Sequence, residues 1–156
     1  MQYPFFLAFF LLFSACSFKN YEHTQSKIVI IKSPKLKFAD LAYIRGDSNS
    51  VELELFVAGK SVKKIEIAYL VCTDEGCMSK SSFNESYLSK YYPDNLLKNI
   101  LLAKPIYNGQ ELQRTLDGFT QSIQNKNVSI LYTKSAKMVY FKDRKNHILF
   151  KIKETK

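Results

Sequence analysis

Three cysteines are the residues of this chain with the widest choice of chemistry. They are Cys16, Cys72 and Cys77 in a chain of 156 residues. A cysteine can form a disulfide, bind a metal as a thiolate or carry an attached lipid. Cys72 and Cys77 lie close together in "CTDEGC", whereas Cys16 stands alone at the end of "LLFSAC". The spacing therefore predicts one role for Cys16 and a different role for the other two.

The segment before Cys16 is typical of an export signal. Residues 5–13 are all apolar, which is too short to span a bilayer but fits the apolar region of a signal peptide. The small residues Ser14 and Ala15 then precede Cys16, and polar sequence follows. Two other interpretations stay open, namely an ordinary signal peptide that leaves Cys16 as a free thiol, and an N-terminal core helix.

This arrangement resembles the signal of bacterial lipoproteins. In that family the cysteine is acylated, the chain is cut just before it, and the new amino group is usually acylated as well. The resemblance implies that residues 1–15 are a signal peptide and that Cys16 is the lipid anchor. Residues 17–26 are short and polar, so residues 16–26 are predicted to be the lipidated cysteine and its tether. Because Ser17 rather than Asp follows the cysteine, the sorting rule of enteric bacteria implies delivery to the outer membrane, on either its periplasmic or its surface face.

Cys72 and Cys77 remain as an even pair once Cys16 is assigned to lipid. In an oxidising envelope such a pair predicts a disulfide, and Gly76 offers the turn between them a positive φ. Free thiols are the alternative. A metal site is not expected, because His23 and His147 are far away in the sequence.

The pattern of residues 27–156 predicts one β-rich domain of the α+β class. Segments rich in alternating apolar residues predict about eight antiparallel strands, in a sheet or a sandwich. These segments are 27–33, 36–44, 51–57, 62–72, 119–123, 128–133, 137–142 and 147–153. A helical insertion is predicted near residues 82–103, because Ser82 and Glu85 form a capping-box pattern and an apolar stripe at helical spacing follows. The stripe consists of Leu96, Leu97, Ile100 and Leu101.

The charge of the chain favours anionic partners. The formal net charge is +9, and residues 134–156 contain eight Lys or Arg and two acidic residues. Such a segment would strengthen attachment to an anionic membrane, whereas solvation of exposed strand faces is the simpler explanation of its lysines. Nucleic acid is not an expected partner, because no nucleic-acid motif is present.

Catalytic patterns are not apparent. The sequence contains neither a glycine-rich phosphate loop nor a serine nucleophile elbow, and its two histidines are isolated. We therefore expect a protein that is not an enzyme, with no cofactor, metal or catalytic residue.

The tripeptide Arg45-Gly46-Asp47 matches an integrin-recognition sequence. It stands in "RGDSNS", which predicts an exposed hairpin turn. Since Gly-Asp is also ordinary turn chemistry, the turn by itself explains the tripeptide, and a role in adhesion is the alternative.

Segments beyond the signal resemble small lipoproteins of the Campylobacter and Helicobacter group. They are "KIVIIKSPKLKFADLAYI", "YYPDNLLKNILLAKPI" and "VYFKDRKNHILFKIK". The resemblance implies a Gram-negative envelope lipoprotein and carries no site residues. Three functions follow as hypotheses: a non-catalytic protein that binds an envelope protein, a lipid or lipopolysaccharide; a carrier or chaperone for lipids or lipoproteins with a cavity between sheet and helix; and an adhesin.

Overall fold

Eleven antiparallel strands form one sheet in the computed structural model, which describes residues 21–155. The strands are β1 (His23–Lys32), β2 (Lys37–Gly46), β3 (Val51–Val57), β4 (Lys60–Ile67), β5 (Val71–Thr73), β6 (Gly76–Met78), β7 (Leu112–Thr115), β8 (Gly118–Gln124), β9 (Ser129–Lys134), β10 (Met138–Asp143) and β11 (Ile148–Glu154). Between β6 and β7 lie the helices α1 (Lys80–Tyr87) and α2 (Leu96–Leu101) and a 3₁₀ turn at Tyr107–Gly109. The predicted mainly β class is confirmed, with one sheet and more strands than expected.

The strand order shows how the chain builds the sheet from its centre. The order is β6-β5-β4-β3-β2-β1-β11-β10-β9-β8-β7. The chain begins at β1 in the middle, runs to the β6 edge, crosses with the two helices to the β7 edge, and returns to the middle. Pairing of β1 with β11, from Lys27 opposite Glu154 to Lys32 opposite Leu149, joins the two halves.

The inner face of the sheet is apolar from β1 to β5 and from β8 to β11. Alternation along each strand places the buried residues on this face. They include Val29, Leu53, Ile65, Ile123, Tyr132, Phe141 and Phe150. The predicted stripe of α2 is buried against them, with Leu96, Leu97, Ile100 and Leu101 at most 6% exposed.

Two short helices are too narrow to cover this face if the sheet is flat. Eleven strands at about 4.8 Å spacing span roughly 48 Å, and each helix is only about 10 Å wide. Residues as far apart as Val71 on β5 and Ile123 on β8 are nevertheless at most 2% exposed. The sheet therefore curls around the helical insertion and partly covers its own inner face.

Buried polar side chains attach the insertion to the sheet. The Asp143 carboxylate, fully buried at the end of β10, accepts hydrogen bonds from Tyr92 Oη (2.8 Å) and from the backbone N–H of Ser129 (3.0 Å). The Gln121 side chain, also fully buried, donates to the carbonyls of Ile106 and Gln110 and accepts from the Ile106 N–H. These bonds satisfy backbone groups that the irregular crossing segment would otherwise bury without partners.

One long predicted strand is in fact two. Residues 62–72 were expected to form a single strand, but the chain turns at Ala68–Leu70, where the Ala68 N–H donates to the Leu70 carbonyl. Tyr69, which lies within that predicted strand, is 90% exposed at this turn. The turn has no Gly, Pro, Asn or Asp to mark it, so its β-like composition hid it. The short strands β6 and β7 were not predicted either.

The helical insertion begins earlier than its capping-box pattern indicates. Ser79 is the N-cap of α1 and its hydroxyl accepts from the Ser82 N–H at 3.1 Å. The predicted start near Phe83 is thus wrong by about one turn. The insertion contains two helices separated at Pro93, whose fixed φ and missing N–H suit the segment before α2.

The strand β1 starts four residues before the predicted Lys27. Residues His23–Ser26 pair with Tyr43–Gly46 of β2, so this part of the predicted tether is a strand. The polar composition of these residues had indicated a tether. The pairing of β1 with β2 nevertheless continues beyond the apolar residues of β1, as far as His23 opposite Gly46.

We expect Asp143→Asn to destabilise the domain by about 2–4 kcal/mol, because a buried carboxylate with several donors cannot be replaced by an amide that must itself donate. Urea unfolding of the full chain measures the change. Asp40→Asn is the matched control, since Asp40 is exposed and accepts from the N–H of the next residue. Equal unfolding midpoints for the two variants would contradict this role of Asp143.

Candidate binding cleft

A cleft of about 570 Å³ lies between the inner face of the sheet and the end of α2. Its floor is apolar and is made by Ile44, Val139, Ile152, Leu101 and Leu102. Its rim is polar and includes Glu22, His23, Gln25, Asp47, Lys104 and Lys134. The volume falls within the range of small-molecule sites, which are apolar clefts with a few polar groups at the edge.

The cleft lies where the chain changes direction after α2. Ala103 has a positive φ of 53°, and the Lys104 N–H donates back to the Asn99 carbonyl at 2.8 Å. Leu102 packs tightly on β2, where a Cβ added to Gly46 would lie 3.1 Å from Leu102 Cδ2. Residues 101–104 therefore form one wall of the cleft rather than a cover over β1 and β11.

An ion pair between β1 and β11 also lines the cleft, beside its apolar floor. Lys27 Nζ donates to Glu154 Oε2, and the Lys27 side chain is only 10% exposed. Lys27 occupies an inward position of β1 together with Val29 and Ile31. The charged residue Lys27, in line with the apolar residues Val29 and Ile31, was a sequence signal for this site. It was not predicted to belong to a functional site.

The opposite face of β2 carries a charged network centred on Arg45. One guanidinium nitrogen, Nη1, donates to Glu52 Oε1 at 2.7 Å and to Glu54 Oε2 at 2.6 Å. Tyr21 Oη donates to Glu52 Oε2 at 3.0 Å, which holds the residues before β1 against the outer face. Burial and this hydrogen bond raise the Tyr21 pKa well above its usual range.

The predicted adhesion tripeptide is divided between a strand and a turn. Arg45 lies within β2 and its guanidinium contacts the two glutamates, while Gly46 is buried as the last residue of β2. The Asp47 carboxylate accepts from the N–H groups of Asn49 and Ser50 and so stabilises the turn before β3. These contacts agree with turn chemistry, and a role in adhesion stays an untested prediction.

The cysteine pair is joined as expected. Cys72 and Cys77 lie directly opposite each other on β5 and β6, with a Cα–Cα distance of 4.0 Å and an S–S bond. Gly76 has the predicted positive φ, at 121°. Neither cysteine lines the cleft, so the disulfide stabilises the edge hairpin.

Cys16 lies outside the described residues, as do the predicted signal peptide and residues 16–20 of the predicted tether. Within residues 21–155 no helix is long and apolar enough to cross a membrane. Among the same residues no three His, Cys, Asp or Glu side chains are grouped so as to hold a metal ion.

No family model, curated protein or solved structure shows significant similarity to this chain.

We expect the Arg45 network to make stability depend on pH. Burial alone would raise the Glu54 pKa, but the hydrogen bond and charge of Arg45 outweigh it and lower this pKa below its usual value of 4.5. A lowered folded-state pKa contributes stability above the unfolded pKa, and that contribution is lost as the pH falls through the folded pKa. Acidification below about pH 4.5 should therefore weaken the domain.

Arg45→Gln should cost about 1–3 kcal/mol at pH 7, because it removes the cation that the Glu52 and Glu54 carboxylates share and leaves Glu52 with Lys64, whose Nζ lies 3.3 Å away. It should also reduce the loss of stability between neutral and acidic pH. Urea unfolding at both pH values tests this expectation. Arg114→Gln is the control, since Arg114 is exposed and makes no ion pair with a described residue. Parallel pH profiles for the wild type and Arg45→Gln would refute the assignment.

Proposed function

We propose that this protein is a non-catalytic lipoprotein of the outer membrane, anchored by lipid on Cys16, which binds another envelope component in the cleft. The observation that carries the proposal is the cleft itself, which combines an apolar floor with a polar rim. A partly open cleft of this size with apolar residues at its floor suits a ligand with apolar groups, and the rim residues suit a polar end that stays near water.

The position of the cleft fits attachment at Cys16. Glu22 and His23, at the start of β1, belong to its rim. Glu22 follows Cys16 by six positions in the sequence, and six extended residues span at most about 21 Å. A lipid on Cys16 would thus keep the cleft close to the membrane from which a ligand could come.

The apolar floor favours a more specific candidate, a carrier or chaperone for acylated ligands. Ile44, Val139 and Ile152 come from three strands and present aliphatic surface to the cleft. Lys104 and Lys134 on the rim could pair with the anionic head of a lipid. A lipid or the lipid-modified end of another lipoprotein has this combination of groups.

Lipid attachment is tested by Cys16→Ala in cells fed radiolabelled palmitate. We expect the variant to lose the label, because it lacks the thiol that would carry the acyl chains. It should also leave the membrane fraction when the membranes are washed with high salt, which screens binding by charge alone. The double variant Cys72→Ala/Cys77→Ala is the control, because its cysteines form the disulfide, and it should keep the label. Palmitate on the Cys16→Ala protein would disprove the anchor.

Ligand binding is tested by filling the cleft with Gln25→Trp. Gln25 is an exposed residue of β1 on the cleft rim, so the bulky ring should block the floor while the strand tolerates it. Thr24→Trp is the matched control, because Thr24 is the adjacent residue and points to the opposite face. Native mass spectrometry of the purified full chain counts non-covalently bound lipid.

We expect bound lipid on the wild type and on Thr24→Trp, and a loss of about tenfold or more on Gln25→Trp. If the two tryptophan variants retained equal amounts of lipid, the cleft would be excluded as the lipid-binding site. A wild-type protein that retains no lipid and binds no added fatty acid would reject the carrier function.

A further inference from the structure

The outer face of the sheet carries lysines on four adjacent strands. We call this the basic face and define it by five outward side chains: Lys37 on β2, Lys32 on β1, Lys151 and Lys153 on β11, and Lys142 on β10. The strand order places β2, β1, β11 and β10 side by side. The tertiary pairing thus joins lysines from both ends of the chain in one patch.

The lysines of the basic face alternate with apolar side chains. Across the ladders Ile28 is opposite Lys153, Ile30 is opposite Lys151, and Leu149 is opposite both Lys32 and Lys142. Ile28 on β1 and Leu131 on β9 are each 38% exposed. Neighbouring strands are about 4.8 Å apart, so each cationic group lies beside exposed aliphatic surface.

Acidic side chains do not balance these charges. The outward positions of β1, β2, β8, β9, β10 and β11 contain no Asp or Glu. In contrast, the neighbouring network on β3 pairs Glu52 and Glu54 with Arg45. None of the five lysines forms an ion pair or a side-chain hydrogen bond with a described residue. The basic face therefore has an uncompensated positive potential that an anionic surface would relieve.

We propose that the basic face lies on an anionic lipid bilayer. The positive charge would attract lipid phosphates, and the exposed Ile28 and Leu131 would enter the boundary of the acyl region. Lysine suits this interface because its aliphatic stem follows apolar surface while its ammonium group reaches the headgroups. A soluble anionic polymer would use the charge but not the aliphatic side chains between the lysines.

This orientation leaves the cleft accessible. The cleft opens on the inner side of the sheet, which is the side opposite to the basic face. Contact of the basic face with a membrane would therefore hold the strands along the bilayer, so that the cleft stays near the membrane but opens to solvent on the other side of the sheet. The inference goes beyond the proposed cleft function and does not depend on lipid at Cys16.

A single tryptophan can report the contact, because the chain has none. Leu131→Trp places the reporter within the basic face, and Tyr91→Trp places a control in the exposed part of the helical insertion. The full chain is mixed with phosphatidylcholine vesicles that contain brominated lipid, with or without phosphatidylglycerol. Bromine quenches only tryptophan that reaches the acyl region, so the signal is independent of how residues 1–20 attach.

We expect quenching of Leu131→Trp to be about threefold stronger or more on the anionic vesicles and to weaken as salt is added. Adding Lys142→Gln, Lys151→Gln and Lys153→Gln to the reporter should abolish this difference. The charge-matched control adds Lys60→Gln, Lys80→Gln and Lys126→Gln, which likewise lowers the formal charge from +9 to +6 (9 − 3), and it should preserve the difference. Thermal unfolding checks that both sets of variants fold.

Three results would overturn the proposal. Leu131→Trp could be quenched equally on neutral and anionic vesicles, which would show that charge is not involved. Tyr91→Trp could be quenched as strongly as Leu131→Trp, which would place the insertion rather than the basic face on the bilayer. Leu131→Trp could stay unquenched while the same three lysines are needed to bind a soluble sulfated glycan, which would assign the face to an anionic polymer.

Discussion

The structure depends on the burial of one large apolar sheet face by a small helical insertion. Two short helices and an irregular crossing segment must cover strands from both halves of the chain, and they can do so only if the sheet curls around them. The Asp143 carboxylate and the Gln121 amide fix this arrangement, because each is fully buried and bonds to the insertion. Apolar contact supplies most of the burial, and these directional bonds set where the insertion lies.

The cleft and the basic face are consequences of the same arrangement. Where the chain changes direction at Ala103, before it reaches β8 and β9, part of the inner face stays uncovered and becomes the cleft. Where β1 pairs with β11, lysines from the first and last strands meet on the outer face. The two surfaces lie on opposite sides of the same central strands, so one sheet can offer an apolar site and a charged site without mixing them.

Local patterns predicted the fold where each residue's environment followed from its neighbours in sequence. Strand β3 was predicted with its exact bounds, because Val51, Leu53 and Leu55 alternate with Glu52 and Glu54. The pattern failed where tertiary contacts decided the conformation. The turn at Ala68–Leu70 has the composition of a strand. Ser79 and Ser82 are both of a type that caps helices, and the structure uses Ser79, whose hydroxyl accepts from the Ser82 N–H. The cleft was expected only as a cavity between sheet and helix, since its walls come from five separate segments.

The amino-acid sequence by itself determined the β-rich class, the pairing of Cys72 with Cys77 and the apolar stripe of α2. Each of these depends on residues a few positions apart, whose spacing already specifies a face, a loop or a turn. Only the tertiary structure decided that the chain forms one sheet, that Lys27 meets Glu154 and that lysines from both ends of the chain share a surface. These contacts join residues more than a hundred positions apart, and their partners are selected by the burial of the whole inner face rather than by any local pattern.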